Sequence, residues 1–250
     1  MTRVSRALDR IDVSFDDPNL VANAALLLTA TLADRLELET MIDSTVKLAG
    51  RVGGARPGRK VLTLTHAMIS GGTHIDHADM LRAGSTASVL GHRVMAPSTL
   101  GTFLRSFTFG HVRQLEAVNG RALERAWTMG VGPTGALVVD IDSTICEVVG
   151  KHKQGAGYGY TRKLGYHPLL ATRADTGEVL HARMRKGSAN TQRGARRFHR
   201  RTRRPWPPRR CDRSVDDPVR IRVLGQRHDH RVEPVERALH DGCALLQQRH

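Results

Sequence analysis

Aromatic residues are scarce in this 250-residue chain, which holds two Trp, three Tyr and five Phe. A core built mainly on stacked rings is therefore excluded, and aliphatic side chains must fill it. Three cysteines, Cys146, Cys211 and Cys243, are too widely and irregularly spaced for a disulfide framework or a CxxC metal clip. No window approaches the roughly 20 uninterrupted apolar residues of a membrane span. The opening residues Met1 to Arg6 lead into an acidic stretch rather than an apolar signal core, so a cytoplasmic protein is expected. Acidic residues are also in deficit, with 24 Asp and Glu against 39 Lys and Arg, for a formal charge of +15. Such a surplus sets an ordinary metabolic enzyme aside and points to a polyanionic partner, nucleic acid first, although a ribosomal or membrane-surface protein would share it.

What is present divides the chain into stretches of different period. Residues 19–48 carry apolar positions at helical spacing without Pro or Gly, and predict one or two amphipathic helices. The run GRVGGARPG from Gly50 breaks that unit, and Arg59, Lys60 and the apolar residues Val61 to Ile69 open another helix. Ala78 to Leu90 reads as helical. Pro97-Ser98-Thr99 gives a capped start to a helix with Leu100, Phe103, Leu104 and Phe107 on one stripe. These last two helices fit either a helix-turn-helix or two members of a small bundle. His74, Asp76, His77 and Asp79 bring metal-capable side chains together, but lack the Cys partners of a metal site and read better as a capped helix start.

Past Gly130 the period becomes strand-like. Ala136 to Val139 predicts a buried strand ending in Asp140-Ile141-Asp142-Ser143-Thr144. Tyr166 to Thr172 and Glu178 to Arg183 predict two more strands, joined by a turn at Arg173 to Gly177, so that an antiparallel meander follows. The fold class expected is α+β: a helical region over residues 1–130, strands over 131–198, and a disordered tail over 199–250. That tail contains no Lys and, after Phe198, a single aromatic residue, Trp206; Arg, His and Pro dominate it. Two readings suit it, a basic tail that grips phosphates, or a segment translated out of frame. Joining the second and third bases of each codon to the first of the next supports the latter. His199 to Arg210 then permits Ile-Asp-Glu-Leu-Val-Ala-Arg-Gly-Arg-Arg-Ala-Gly, an amphipathic helix, and Val223 to Gln226 permits Phe-Trp-Val-Asn.

Asp142, at the end of the predicted strand and followed by two hydroxyl residues, is the candidate ligand for a divalent metal, with Asp140 on the same strand face. The pattern D-x-D-S-T is equally compatible with carboxylates that accept backbone hydrogen bonds. Lys151, His152, Lys153, Tyr158, Tyr160, Arg162 and Lys163 combine basic and aromatic groups on a Gly-rich loop, suited to tracking a phosphate backbone or, equally, to a solvated connection between strands.

The segments VVDIDST from Val138, GKHKQGAGYGYTRKLGYHPLL from Gly150, GSANTQRGARRF from Gly187 and, upstream, HADMLRAGSTASVLGHRVMAPSTLGTFLRSF from His77 together resemble bacterial insertion-sequence transposases of the DDE type. The resemblance covers roughly residues 15–198. It implies an RNase-H-like domain after a helical region, three acidic residues holding two Mg²⁺ or Mn²⁺ ions, cleavage and joining of DNA at terminal inverted repeats, and a homodimer that pairs two ends. The first acidic ligand maps onto Asp142, with Asp140 as the fallback. The nucleic-acid contacts fall to Lys151, Lys153, Arg162 and Lys163. The second ligand belongs in a segment like Asp-Ser-Gly-Phe-Trp, and the third, a Glu, lies well beyond it. Neither motif is present, and Asp212, Asp216, Asp217, Glu233 and Glu236 do not stand in one. The expectation is a truncated or frame-disrupted relative that binds DNA but does not cut it. The alternative is a non-enzymatic DNA-binding protein that competes for element ends.

Overall fold

A computed structural model describes residues 21–48, 50–134, 137–150, 153–189, 198 and 202, and the backbone of 220–223. The chain forms two compact units, divided between Val118 and Asn119. The mixture of helices and small, mainly antiparallel sheets is the α+β class expected.

The first unit is helical. The amphipathic stretch before residue 48 forms two helices, α1 (Leu26–Arg35) and α2 (Leu38–Thr45), because Glu37 takes a left-handed conformation with φ 53° that no α-helix continues. Helix α3 (Pro57–Ile69) starts with Pro at its first position, where the missing N–H costs no helical bond. The Gly58 amide donates to Asp43 Oδ1 at 2.7 Å. A Cβ on Gly58 would lie 2.6 Å from the Glu39 carbonyl, so glycine is what lets α3 start against α2. Lys60 is buried, and its ammonium donates to the carbonyls of Gly53, at 2.7 Å, and Ala55. Burial holds its pKa below the usual 10.5, against the pull of Asp43.

Ala78 to Leu90, expected as one helix, is not one. It comprises a tight 3₁₀ segment, Ile75–Leu81, and the four-residue α4 (Thr86–Val89), separated by Gly84 at φ 56°. Ala78 and Leu81 are fully buried there, and this packing outweighs the weak local preference for a continuous helix. The helix-turn-helix reading thus loses its first helix. Helix α5 (Pro97–Arg105) forms as expected, but Ala96 precedes it in extended conformation without a side-chain cap, and Pro97 rather than a hydroxyl sets the start. At the His74 cluster, the Thr73 amide donates to His77 Nδ1 at 3.0 Å, so this imidazole caps a turn. Helix α6 (Phe109–Ala126) begins beside Thr108, whose amide donates to His111 Nδ1 at 2.9 Å. The other ring nitrogen therefore carries the proton and donates to the Lys47 carbonyl at 3.1 Å. Two aliphatic clusters result, one around Leu81, Leu90 and Leu100, the other around Ile42, Leu48 and Phe103.

His66 and His92 stack with ring centroids 5.4 Å apart, His66 Nδ1 lying 3.3 Å from His92 Nε2. Burial first, then His92, push the His66 pKa below 6.5, while Asp34 opposes them. The unfolded chain takes up a proton near 6.5 that the folded unit resists, so stability is expected to fall as the pH drops below that value. Urea titrations across this range check it, and His66→Gln should flatten the dependence.

In the second unit the C-terminal half of α6 contributes Leu123, and Trp127 follows in a short π-helical turn. Strand β1 (Val138–Ser143) carries both aspartates at its C-terminal end, as expected. β2 (Cys146–Glu147), β3 (Gly157–Tyr158) and β4 (Leu164–Tyr166) make a small sheet in the order β2-β4-β3. β5 (Leu169–Arg173) and β6 (Val179–Arg183) form the expected hairpin, with Gly177 at φ 77° in its turn. The strand expected over Tyr166 to Thr172 divides at His167-Pro168, where proline has no amide to give a ladder. Strand β7 (Arg220–Val223), four residues within the stretch 199–250, pairs parallel with β1, and the main sheet has the order β6-β5-β1-β7. Apart from these and Thr202, that stretch lies outside the described residues. Val139, Ile141, Leu169, Ala171, Leu180 and Phe198 form the core of this unit.

Candidate metal centre and nucleic-acid interface

Alternation along β1 decides what its carboxylates can do. Val139, Ile141 and Ser143 are buried, so Val138, Asp140 and Asp142 share the opposite face. Asp142 is exposed and Asp140 half-buried. Asp142 Oδ1 accepts the Ser143 amide at 2.7 Å, the local bond that a purely structural aspartate would make, yet its side chain stays open to solvent. Across the ladder Leu170 stands opposite Asp142 and Thr172 opposite Asp140. On the other side, parallel β7 sets Arg222 level with Asp140 and Val223 level with Ile141. The C-terminal ends of β1 and β7 therefore lie at the same edge, where open sheets place ligand sites.

Among the described residues, that edge offers no carboxylate besides Asp140 and Asp142. β7 reads Arg-Ile-Arg-Val, with no carboxylate beside Asp142. Among the described residues no three His, Cys, Asp or Glu side chains come together to hold an ion. Two metals ~3.5–4 Å apart need several oxygen ligands from different elements. Two aspartates on one strand do not by themselves hold such a pair.

The small sheet leaves from the same end of β1. Lys153, Arg162 and Lys163 are all exposed on it. Lys163 is tied to Glu147 by an ion pair, a partner that sequence spacing did not reveal because β2 and β4 meet only in the folded sheet. Arg162 sits at φ 59° in a turn closed by its amide on the Gly159 carbonyl at 3.0 Å. Lys151 lies outside the described residues, as does His152.

Sequence reasoning also missed a polar group inside this unit. Arg173 is buried and pairs with Asp175 at 2.6 Å and with Glu178 at 3.2 Å. It also donates to the Val131 carbonyl and lies over the Trp127 ring. Nearby, Arg185 is buried and donates to the His167 carbonyl at 2.8 Å. Burial lowers its pKa, with Arg183 adding repulsion. The signal for Arg173 was legible in principle, since a turn with acids two and five residues beyond an arginine can fold both onto it.

A family model described as transposase DDE domain group 1 matches residues 5–214. No curated protein matches the chain. Among the described residues no helix is long and apolar enough to cross a membrane.

Proposed function

From the membership of this chain in the transposase DDE domain family, we propose that it is a frame-disrupted insertion-sequence transposase that binds DNA at element ends and does not cut it. What supports this reading is the edge formed by β1 and β7: Asp142, onto which the resemblance maps the family's first acidic ligand, is exposed, and the four described residues of the parallel strand beside it include no carboxylate. Asp142, with Asp140 behind it, is the remnant of a centre for Mg²⁺ or Mn²⁺. The helical unit and the loop cations Lys153, Arg162 and Lys163, with Lys151 next to them in sequence, supply the DNA contacts, for which the +15 charge provides the long-range attraction.

The full chain is expected to shift a labelled duplex carrying the element's terminal repeat, with salt-dependent affinity, and to leave a supercoiled plasmid bearing two such repeats uncut in Mg²⁺ or Mn²⁺. The variant K153A/R162A/K163A should lower the slope of log K against log salt by about three, roughly one for each phosphate that the removed cations would neutralise. Cleavage by the wild type that disappears in Asp142→Asn would overturn the inactive reading. Sequencing the gene across codon 199 tests the frame: an open shifted frame must encode the missing acidic segment near Ile221 to Gly225.

A further inference from the structure

We infer that Tyr158 and Tyr160 form a stacking platform for unpaired DNA bases, so that the ribbon beside the Asp142 edge takes single-stranded rather than fully paired DNA. The inference rests on the DNA-binding reading and adds to it the state of the strand.

The chain holds only three tyrosines, and two of them are 62% and 65% exposed on this one ribbon. The third, Tyr166, is engaged in holding the ribbon together: its hydroxyl donates to the Gln154 carbonyl at 3.0 Å. Large exposed rings in a chain so poor in aromatics need an explanation, and their setting supplies one. The sequence Gly157-Tyr158-Gly159-Tyr160 alternates with period two. Its glycines meet Gly187: a Cβ on Gly187 would lie 2.2 Å from the Gly157 carbonyl and 2.1 Å from that of Gly165, and a Cβ on Gly159 2.8 Å from the Gly187 carbonyl. Backbone presses on backbone along the glycine side, while Tyr158 stands exposed in β3 and Tyr160 in the turn that follows it, its ring 6.2 Å from that of His167. The Gly187 amide donates to Gly155 at 3.3 Å and the Ala156 amide to Lys153 at 3.1 Å, so the rings stand on a braced support rather than a loose loop. Bracing before binding reduces the entropy lost on it.

The charge of the ribbon fits a phosphate backbone. Lys153, Arg162 and Lys186 are exposed, and none pairs with a carboxylate among the described residues. In duplex DNA each base face is covered by its neighbours in the stack. Away from the two terminal base pairs, a protruding ring finds an open π-face only where bases are unpaired, and stacking there tolerates any sequence. Aromatics interleaved with cations on an extended ribbon therefore match a separated strand, the form a frayed DNA end presents.

The test uses the full chain with a fluorescent single-stranded oligonucleotide and with the same sequence as a blunt duplex, read by anisotropy at fixed salt. Tyr158→Ala and Tyr160→Ala are expected to weaken single-strand binding about ten-fold each while leaving duplex binding within about two-fold. Tyr158→Phe and Tyr160→Phe, which keep the ring, should bind as wild type does. Equal losses for both DNA forms, or no loss in the alanine variants, would overturn the platform. If those variants are silent while K153A/R162A/K163A still loses duplex affinity, the stacking inference alone falls. If the wild type binds neither DNA, the DNA-binding reading falls with it.

Discussion

Phe198→Ala is expected to destabilise the sheet-bearing unit by about 3–5 kcal/mol, seen as a lower urea midpoint with an unchanged slope. Phe198 is fully buried. It packs in the cluster formed by Val139, Ile141, Leu169, Ala171 and Leu180. Its ring lies 4.4 Å from that of His181, nearly parallel to it. Phe198 is the one Phe, Tyr or Trp among the buried residues of this cluster, so its loss removes most of the ring volume there. The β-branched residues around it have restricted rotamers, and the cavity would remain largely open. The result also bears on the reading frame. Phe198 closes the segment that resembles the family, and Thr202, the next described residue, is buried with its hydroxyl donating to the Phe198 carbonyl at 3.1 Å. A loss below about 1 kcal/mol would mean that the core of this unit ends before Phe198.

Replacing Arg173 by Met should cost about 2–4 kcal/mol, somewhat less than severing a fully buried pair, because its partners can rehydrate. The guanidinium is only 7% exposed, while Asp175 is 64% and Glu178 23% exposed. Arg173 donates to Asp175 through Nε and Nη2, at 2.6 and 2.7 Å, and through Nη1 to Glu178 and to the Val131 carbonyl. The Trp127 indole N–H also donates to Glu178, so the substitution removes the Arg173 link to the Val131 carbonyl and leaves the turn after β5 held to the residues that follow α6 by the Trp127–Glu178 bond. Arg173→Lys should recover little, since a single ammonium cannot replace the planar fork. The Arg173 hydrogen bond holds the Asp175 carboxyl below its ordinary 3.8. Its contribution is therefore present above that pH and disappears as pH falls through the lowered value. A Met variant as stable as wild type would show that the network orders the turn without stabilising the unit.

Much of this arrangement was legible in the residues. The Gly50 break, the helix from Pro97, the hairpin at Arg173 to Gly177 and the common face of Asp140 and Asp142 each followed from period or turn chemistry, which act over a few neighbours. The helix expected over Ala78 to Leu90 failed because burial of Ala78 and Leu81 in a tight 3₁₀ segment outweighed a local preference worth only tenths of a kcal/mol per residue. Pairing of Lys163 with Glu147 depended on β2 and β4 meeting in space.

By itself the sequence determined the α+β class, the basic surface and the resemblance that the family match bears out, since all three are carried by composition and short motifs. Only the tertiary structure decided that β7 lies parallel to β1 at the Asp142 edge without a second carboxylate, and that two tyrosines stand exposed on a ribbon braced by glycines. Those facts depend on which distant segments share a hydrogen-bond ladder. Ladder pairing is selected by the packing of the whole sheet, not by any residue's own preference.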